Sequence, residues 1–333
     1  MQTYSPDERA WRDLAMLPAG RSSHDTVVHD DTLYVVGGWQ LDTKSDTREW
    51  ATDILTLDLT DPESGWSTIE APFERRALAT VALDDHLVAI GGISSERSIS
   101  KRVDVLSLDE GAWTEGPEYP GAAFGVSAAV VDGRVVASGS DGHVYAWRPS
   151  DDEWTHEAIL TFPRFFHQMV ATPSQDVYVL GGTSRGMRPT HVERIAMAGG
   201  GPRSYMQHWT IPSPAAAKNR QGMFIEDGWL YAFGGNNSTG QHDFGPDNFL
   251  ADGYRLSLAS LTWREFDALP HPRQSIQTSA SPDGKQYLAL GGFAHDGEVA
   301  RTFGEAFMYD LEERSWKETG VAMPTPRSQF GLV

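Results

Sequence analysis

The sequence predicts an all-β repeat protein, and three recurring signals support this prediction. The first is a short apolar run that ends in a glycine pair, or once in Ser138-Gly139, at residues 34–38, 88–92, 136–139, 178–182, 231–235 and 288–292. The second is an Arg that follows a Pro ahead of most of these runs, and the third is a Trp that comes after each run. Because the signals recur roughly every 40–57 residues, they indicate consecutive copies of one structural unit.

Each unit is predicted to contain four antiparallel strands. A small or apolar segment such as 25–28 forms the first strand, and an Asp-Asp or Asp-Gly turn leads into the second, which is a strong hairpin signal. The glycine pair ends the second strand, a variable loop leads to an alternating third strand, and a Trp opens the fourth. These tryptophans are Trp66, Trp113, Trp154, Trp209, Trp263 and Trp316. In several units a large side chain precedes the Trp by seven residues, as Leu106 precedes Trp113, which predicts packing between neighbouring units.

This order of glycine pair, large residue, Trp, Pro and Arg resembles the kelch repeat, and the resemblance covers nearly the whole chain. Kelch repeats form β-propellers with one four-stranded blade per repeat, so the resemblance implies a kelch-type β-propeller. The third unit departs most from the pattern. It has Ser138-Gly139 for the glycine pair, Ala122 where the Arg is expected, and a very short loop at Asp141-Gly142.

The two ends of the chain predict how the propeller closes. Tyr4 and Trp11 repeat the spacing of Tyr309 and Trp316, so the chain begins with a third and a fourth strand, and residues 326–333 resemble a first strand. We therefore predict one domain over 1–333 with seven blades and, as the alternative, six. The blades are predicted at 18–70, 72–118, 120–160, 163–212, 214–268 and 270–321, with a closing blade from 1–17 and 324–333 that lacks a glycine-pair strand.

Composition excludes several classes of function. The chain has no Cys, which excludes disulfides, thiol catalysis and the copper site of kelch-type oxidases, whose Tyr is cross-linked to a Cys. A net charge of −19 argues against nucleic-acid binding. No stretch approaches the 18 apolar residues of a membrane span, and the N-terminus has no signal-peptide pattern, so we expect a soluble chain. Nucleotide-binding and nucleophile motifs are absent, and no cofactor is predicted. Compartment and oligomeric state stay open.

The strand order predicts which side of the propeller carries function. The turns that lead into the first strands and the loops after the glycine pairs emerge on the same side, which we call the loop face; the opposite side is the turn face. The loop face is predicted to carry a ring of arginines: Arg21, Arg75, Arg164, Arg220, Arg273 and Arg327. Two roles are open for them. They could bind a carboxylate, phosphate or sulfate group of a ligand, or they could brace the turns by bonding backbone carbonyls.

Other residues of the loop face are candidates for binding or catalysis. The predicted ligand contacts besides the arginines are His24, His167, Trp39, Asn236, Asn237 and His242. His242 and Asp243 are weak candidates for a cation site, since their spacing matches no known metal motif. Candidate catalytic bases are Glu49, Glu305, His24 and His167.

These observations predict a non-catalytic binding scaffold. Its partner is expected to be an anionic protein segment or an acidic glycan held at the arginine-lined loop face. The alternative is an enzyme that epimerises or mutarotates an acidic sugar and uses a Glu or His of the same face as its base. Because fold alone does not determine function, both hypotheses depend on where these side chains lie.

Overall fold

The computed structural model describes residues 2–5, 10–42, 47–184, 191–197, 206–210, 220–237, 245–280, 285–324, 326 and 328. In this part of the chain the regular structure is β-strand, apart from two short 3-10 helices at Pro62–Ser64 and Pro246–Asn248. No helix among these residues is long and apolar enough to cross a membrane.

Six antiparallel sheets of four strands each follow one another along the described chain, and the strands of each sheet pair in sequence order. We call them blades one to six and number the strands of each blade first to fourth. Blades one to three contain Asp25–His29, Thr32–Val36, Asp53–Asp58 and Ser67–Glu70; Ala79–Leu83, His86–Ile90, Val103–Ser107 and Trp113–Glu115; and Ser127–Val131, Arg134–Ser138, His143–Trp147 and Thr155–Ile159. Blades four to six contain Phe165–Ala171, Asp176–Thr183, His191–Ala196 and Met206–Thr210; Gly222–Glu226, Trp229–Phe233, Gly253–Ser257 and Trp263–Phe266; and Gln277–Ala280, Gln286–Leu290, Glu305–Asp310 and Ser315–Ala322.

The blades pack against each other through apolar side chains. The first strands of blades one to four contact one another in turn, as do those of blades five and six. Hydrophobic clusters fill the space between sheets; in one of them Tyr34 and Ile54 of blade one pack with Leu87 and Leu106 of blade two. Successive four-stranded meanders packed in this way form a β-propeller, which confirms the predicted fold class.

The glycine pairs are the points where one blade meets the backbone of the next. Gly91 has a φ of +65°, and a Cβ there would lie 2.6 Å from the carbonyl oxygen of Ala123 in the following blade. The next glycine, Gly92, donates its N–H to that same oxygen at 2.8 Å. In blade one, Gly38 donates in the same way to Arg75. Both the left-handed conformation and the close approach therefore require glycine.

This junction corrects one sequence assignment. Gly38 and Gly235 donate to the carbonyls of Arg75 and Arg273, which stand at the arginine position of the next blade. Gly92 donates to Ala123 in the same way, so Ala123 occupies that position in blade three, whereas the sequence pattern predicts Ala122. Ala123 is fully buried, and blade three therefore has no arginine at this position.

In blades two, three and six a tryptophan links the blade to the one before it. Leu106 pairs with Trp113 across the third and fourth strands, as the spacing of seven predicts. The indole Nε1 of Trp113 then donates to the carbonyl oxygen of Glu70, at the end of the fourth strand of blade one, at 2.9 Å. Trp154 and Trp316 bond the preceding blade in the same way, through Pro117 and Asp267. The predicted packing of tryptophans between units is confirmed.

An N-terminal hairpin precedes blade one. It pairs Gln2–Ser5 with Ala10–Asp13, and its second strand contacts Ser315–Ala322 of blade six. Trp66 of blade one donates to the carbonyl of Ala15, just after that strand, at 2.9 Å. Trp113, Trp154 and Trp316 make the same contact with a preceding blade. The predicted C-terminal strand at 326–333 lies outside the described residues except for Pro326 and Ser328, so the closing blade and the number of blades stay predictions.

Candidate functional site

In blades one, two and six, short β-ladders on the loop face tie the lead-in turn to the loop of the same blade. In blade one, Gly20–Ser22 pairs with Trp39–Asp42, which pairs in turn with Thr47–Trp50. In blade two, Arg75–Arg76 pairs with Ile93–Ser94. In blade six, Gln274 bridges to Phe293 at the base of a hairpin that spans Phe293–Asp296 and Val299–Thr302. The loops are therefore extensions of the sheets.

The lead-in turns also contact each other from blade to blade. Each turn has one residue in the left-handed conformation, with φ between 51° and 61°, at Ser23, Ala77, Gly125, Phe166, Arg220 and Ser275. Ala77 donates its N–H to the carbonyl of Ser23 at 3.0 Å, and Ser275 donates to Arg220 at 2.8 Å. In blades one, two, four and six this residue stands two positions after the predicted arginine.

Arg220 differs from the other predicted arginines. It is itself the left-handed residue of its turn and its side chain is exposed. The residue equivalent to the other arginines is therefore at 218, outside the described residues. The Pro-to-Arg spacing in this unit is longer than in the others, and the turn geometry, which the sequence does not reveal, sets the true position.

Two of the predicted arginines are buried and form hydrogen bonds and ion pairs within their own blades. The Nη1 of Arg75 donates to the carbonyls of Gly91 and Arg102 at 2.9 and 2.7 Å, and Nη2 contacts the carboxylate of Asp104. Burial lowers the pKa of Arg75 to about 10, so it stays charged at neutral pH. Arg164 repeats the pattern with Gly181, His191 and the carboxylate of Glu193 at 2.7 Å.

Arg21 and Arg273 occupy the same place in blades one and six. Arg21 donates to the carbonyl and the carboxylate of Asp53. Arg273 donates to Gly291 at 3.1 Å, lies between the rings of Phe303 and Phe307, and is 3.8 Å from Glu305. These contacts favour the bracing role over a ring of ligand-binding guanidinium groups.

Blade three supports the bracing role, because it lacks both the arginine and its acidic partner. Where the other blades have Arg, it has Ala123. In the blades with a buried Arg, the acidic partner lies on the third strand, opposite the end of the glycine-pair strand. The equivalent residues of blade three are Val144, opposite Ser138, and Ala146, opposite Val136. The Arg and its acidic partner are therefore missing together.

His24 and His167 lie at the start of first strands, beneath the lead-in turns. Burial, together with nearby Arg21, lowers the pKa of His24 to about 4. Burial and Arg164 lower the pKa of His167 to about 3, and neither ring nitrogen of His167 has a hydrogen-bond partner among the described residues. His167 is only 5% exposed. Both imidazoles are neutral at physiological pH, and the second is closed off from the loop surface.

Trp39 forms an aromatic cluster on the loop face. Its ring stacks on Trp50 with 5.5 Å between centroids, and the guanidinium of Arg76 lies 4.4 Å from its ring centre. Glu49, a candidate base, is exposed on the neighbouring strand opposite Gln40. This cluster presents flat apolar surface beside charge, which suits contact with a protein or a sugar.

The remaining candidates divide into three groups. Asn236 is buried and donates to Gln274, and Asn237 accepts from the Nδ2 of Asn248 at 3.1 Å, so both shape their loop. Glu305 accepts the N–H of Gly304 and pairs with Arg301 at 3.5 Å. His242, Asp243 and Arg327 lie outside the described residues, and within those residues no cluster of three or more His, Asp or Glu could hold a metal ion.

A groove that the sequence did not predict lies between blades one and two, at the outer edge of the loop face. Its volume is about 870 Å³. Blade one lines it with Thr52, Asp53, Thr68 and Glu70, and blade two lines it with Glu74, Arg75 and residues of the loop 94–102. The available signal was the run of serines and charged residues at 94–102, which separates the glycine pair from the third strand.

Comparison with known proteins supports the kelch resemblance. A family profile described as the kelch motif matches residues 74–118. The chain is 24% identical over 300 residues to Kelch-like protein terF of Aspergillus terreus, which covers 82% of this chain and 63% of the relative. It is 27% identical over 243 residues to Kelch-like protein 26 of Danio rerio, covering 69% and 38%. The chain thus spans less than two thirds of the length of these relatives.

A solved structure shares the fold. The structure of YjhT superposes with a TM-score of 0.65 and covers 92% of this chain and 99% of its own. The sequences are 14% identical over the match, a level at which the likeness shows a common fold.

Proposed function

We propose that this chain, which belongs to the kelch-repeat family, is a non-catalytic scaffold whose loop face binds a segment of another protein. The observation that carries this proposal is the bracing of that face. The buried guanidinium groups of Arg21, Arg75 and Arg164 tie lead-in turns to sheets through ion pairs, and β-ladders extend three of the sheets into their loops. A surface that is held in one conformation loses little conformational entropy on binding, which favours recognition.

The proposal has a finer form, in which the partner is an anionic protein segment or an acidic glycan, and blade six supports it. The Nε and Nη2 of Arg273 have no hydrogen-bond acceptor among the described residues. Arg301 stacks on the same Phe303 ring and is about half exposed. Glu305 contacts both arginines, so an incoming anion would compete with Glu305 for them.

The contacts of two of the four candidate bases, Glu305 and His167, favour a binder over the epimerase or mutarotase alternative. A general base must come within hydrogen-bond reach of the carbon-bound or hydroxyl proton that it removes. Glu305 is engaged by two arginines, and His167 is buried with a lowered pKa.

Peptide selection tests the proposal. Peptides are selected from a random phage-displayed library on the wild-type chain, and their Kd values are measured for three proteins. The loop-face variant is Phe166→Ser with Val299→Ser, which removes two exposed apolar side chains. Ser is compatible with this turn because Ser23 and Ser275 occupy the equivalent left-handed position. The control, Asp109→Asn with Glu110→Gln, changes an exposed turn on the turn face.

We expect the loop-face variant to weaken binding of most selected peptides by about tenfold or more, since buried apolar anchors dominate such interfaces. The turn-face variant should bind as the wild type does. Selected peptides that lose affinity only in the turn-face variant would show that the binding surface is on the other side of the propeller.

A further inference from the structure

The groove between blades one and two has the dimensions of a ligand site. Its volume of about 870 Å³ lies within the range of known binding clefts. It is open to solvent at the rim of the loop face, and the fourth strand of blade one, Ser67–Glu70, forms the outer edge of its sheet. Thr68 and Glu70 of this strand both line the groove because alternate residues of a strand point to the same side.

The uncompensated charge of the groove is negative. Glu70, Glu74 and Glu96 are exposed, and none of them forms an ion pair with another described residue. The positive residues of the lining are already neutralised, since Arg75 pairs with Asp104, and Arg102 pairs with both Asp104 and Glu115. The fourth acidic residue, Asp53, is neutralised by Arg21. Three carboxylates therefore face the groove without a partner.

A second feature of the groove is independent of its charge. Arg75 lines the groove and its side chain is 2% exposed, yet its Nε has no hydrogen-bond acceptor among the described residues. A buried donor without an acceptor is energetically unfavourable, so this position favours an oxygen acceptor from a ligand. The hydroxyls of Thr52, Thr68 and Ser95 also line the groove and can each donate and accept.

We propose that this groove binds an extended peptide segment that carries a Lys or Arg side chain. The three glutamates attract the cationic group, and the orphan donor and the hydroxyls suit the carbonyls and amides of a peptide backbone. This inference rests on the proposed function and specifies one subsite of it. The subsite is distinct in place and in charge from the arginine pair of blade six.

Three pools of fluorescein-labelled octapeptides test the inference. Each pool has random neutral flanks around one fixed residue, which is Lys, Arg or Glu, and binding is measured by fluorescence anisotropy at low ionic strength. The groove variant is Glu74→Gln with Glu96→Gln. Asp109→Asn with Glu110→Gln is the matched control, because it also removes two exposed negative charges but lies on the turn face. Melting temperatures establish that both variants are folded.

We expect the Lys and Arg pools to bind the wild type at least tenfold more tightly than the Glu pool. The groove variant should lose most of this preference and the control should keep it. Raising the salt concentration should weaken the preference, because exposed charges are screened beyond about 8–10 Å near physiological ionic strength.

Each other outcome overturns the inference in a recognisable way. Equal affinity for the three pools, combined with loss of binding in Phe166→Ser with Val299→Ser, leaves the proposed function standing and rejects the basic segment. A cationic preference that survives in the groove variant places the subsite elsewhere. If CaCl₂ alone binds the wild type and not the groove variant by calorimetry, the groove is a cation site. No binding by any pool contradicts both proposals.

Discussion

A buried arginine that is shared between carbonyls and a carboxylate contributes to stability before it contributes to binding. Arg164 and Glu193 have no exposed side-chain surface, and Glu193 also accepts the N–H groups of Thr161 and Phe162. Removing the guanidinium leaves that carboxylate buried beside two backbone amides. We expect Arg164→Ala to lower the free energy of unfolding by about 3–5 kcal/mol in urea titrations.

Arg301 is the matched comparison for that experiment. It also pairs with acidic residues on the loop face, but its side chain is about half exposed. Exposed pairs contribute about 0–1 kcal/mol, so Arg301→Ala should be nearly neutral for stability. If Arg164→Ala instead kept full stability and removed peptide binding, the arginine would be a ligand contact and the bracing role would be wrong.

Burial of His167 predicts a loss of stability in mild acid. Its pKa is lowered to about 3 in the folded chain, and an unfolded His has a pKa near 6.5. Between these values the unfolded chain binds more protons, so the free energy of unfolding falls as the pH falls from about 6.5 towards 3. At pH 4.5 this amounts to about 2–3 kcal/mol. His24, whose pKa is lowered to about 4, acts in the same direction.

The measurement is the dependence of Tm on pH for the wild type and for His167→Gln. We expect the variant to lose less stability than the wild type between pH 6.5 and 4.5, whatever its Tm at neutral pH. Identical slopes for the two proteins would mean that the imidazole of His167 can be protonated within the folded chain at its ordinary pKa.

The positions of these residues could be predicted from the sequence, but their role could not. The Pro-Arg pattern located Arg21, Arg75, Arg164 and Arg273 correctly. Their acidic partners lie 29 or 32 residues further along the chain, on a third strand that meets the arginine only after the blade has folded. An acidic residue that recurs at this separation is a signal in the sequence. Blade three lacks both the arginine and the acidic residue, and this joint absence indicates that the two residues act as a pair.

At the scale of the element, the glycine pair joins consecutive blades. It requires both a left-handed backbone conformation and a close approach to the next blade, and a comparison of two glycines distinguishes these requirements. Gly91 and Gly111 both have a φ of +65°, but a Cβ on Gly91 would lie 2.6 Å from a backbone oxygen whereas Gly111 has no atom within 4 Å. Gly111→Ala should lower the free energy of unfolding by about 1–2 kcal/mol, because only the left-handed conformation is unfavourable for Ala there. Gly91→Ala should cost about 1–3 kcal/mol more, because the next blade must move.

Urea unfolding of the two variants measures this difference. Equal losses of stability would mean that the backbone of blade three moves away easily and that the glycine is required only for its conformation.

Backbone conformation also explains where the sequence pattern misplaced the arginine position. The positive φ at Gly125 and Arg220 sets the register of those lead-in turns, and residue types alone placed the arginine position one or two residues away from it.

At the scale of the whole molecule, the open question is how the first and last blades are joined. The N-terminal hairpin lies next to the fourth strand of blade six, and Trp66 of blade one bonds Ala15 just beyond it. The hairpin thus stands between blades six and one, in the position of a blade. Among the described residues the hairpin has two strands, so one of its edges is available there for pairing with another strand. This arrangement supports the predicted closing blade, which would take its inner strand from 324–333.

Deletion of residues 324–333 tests closure directly. If this segment joins the hairpin, its loss leaves the hairpin without its third strand, and we expect a Tm lower by several degrees. The local readout is proteolysis. Cleavage within residues 1–15 should become faster in the deleted chain, because the hairpin is then held only by blades one and six. A chain in which the same ten residues are replaced by a Gly/Ser tail should behave like the deletion, which separates strand pairing from chain length. An unchanged Tm with unchanged protection of the hairpin would instead favour a six-bladed propeller, in which neither terminus is needed to close the ring.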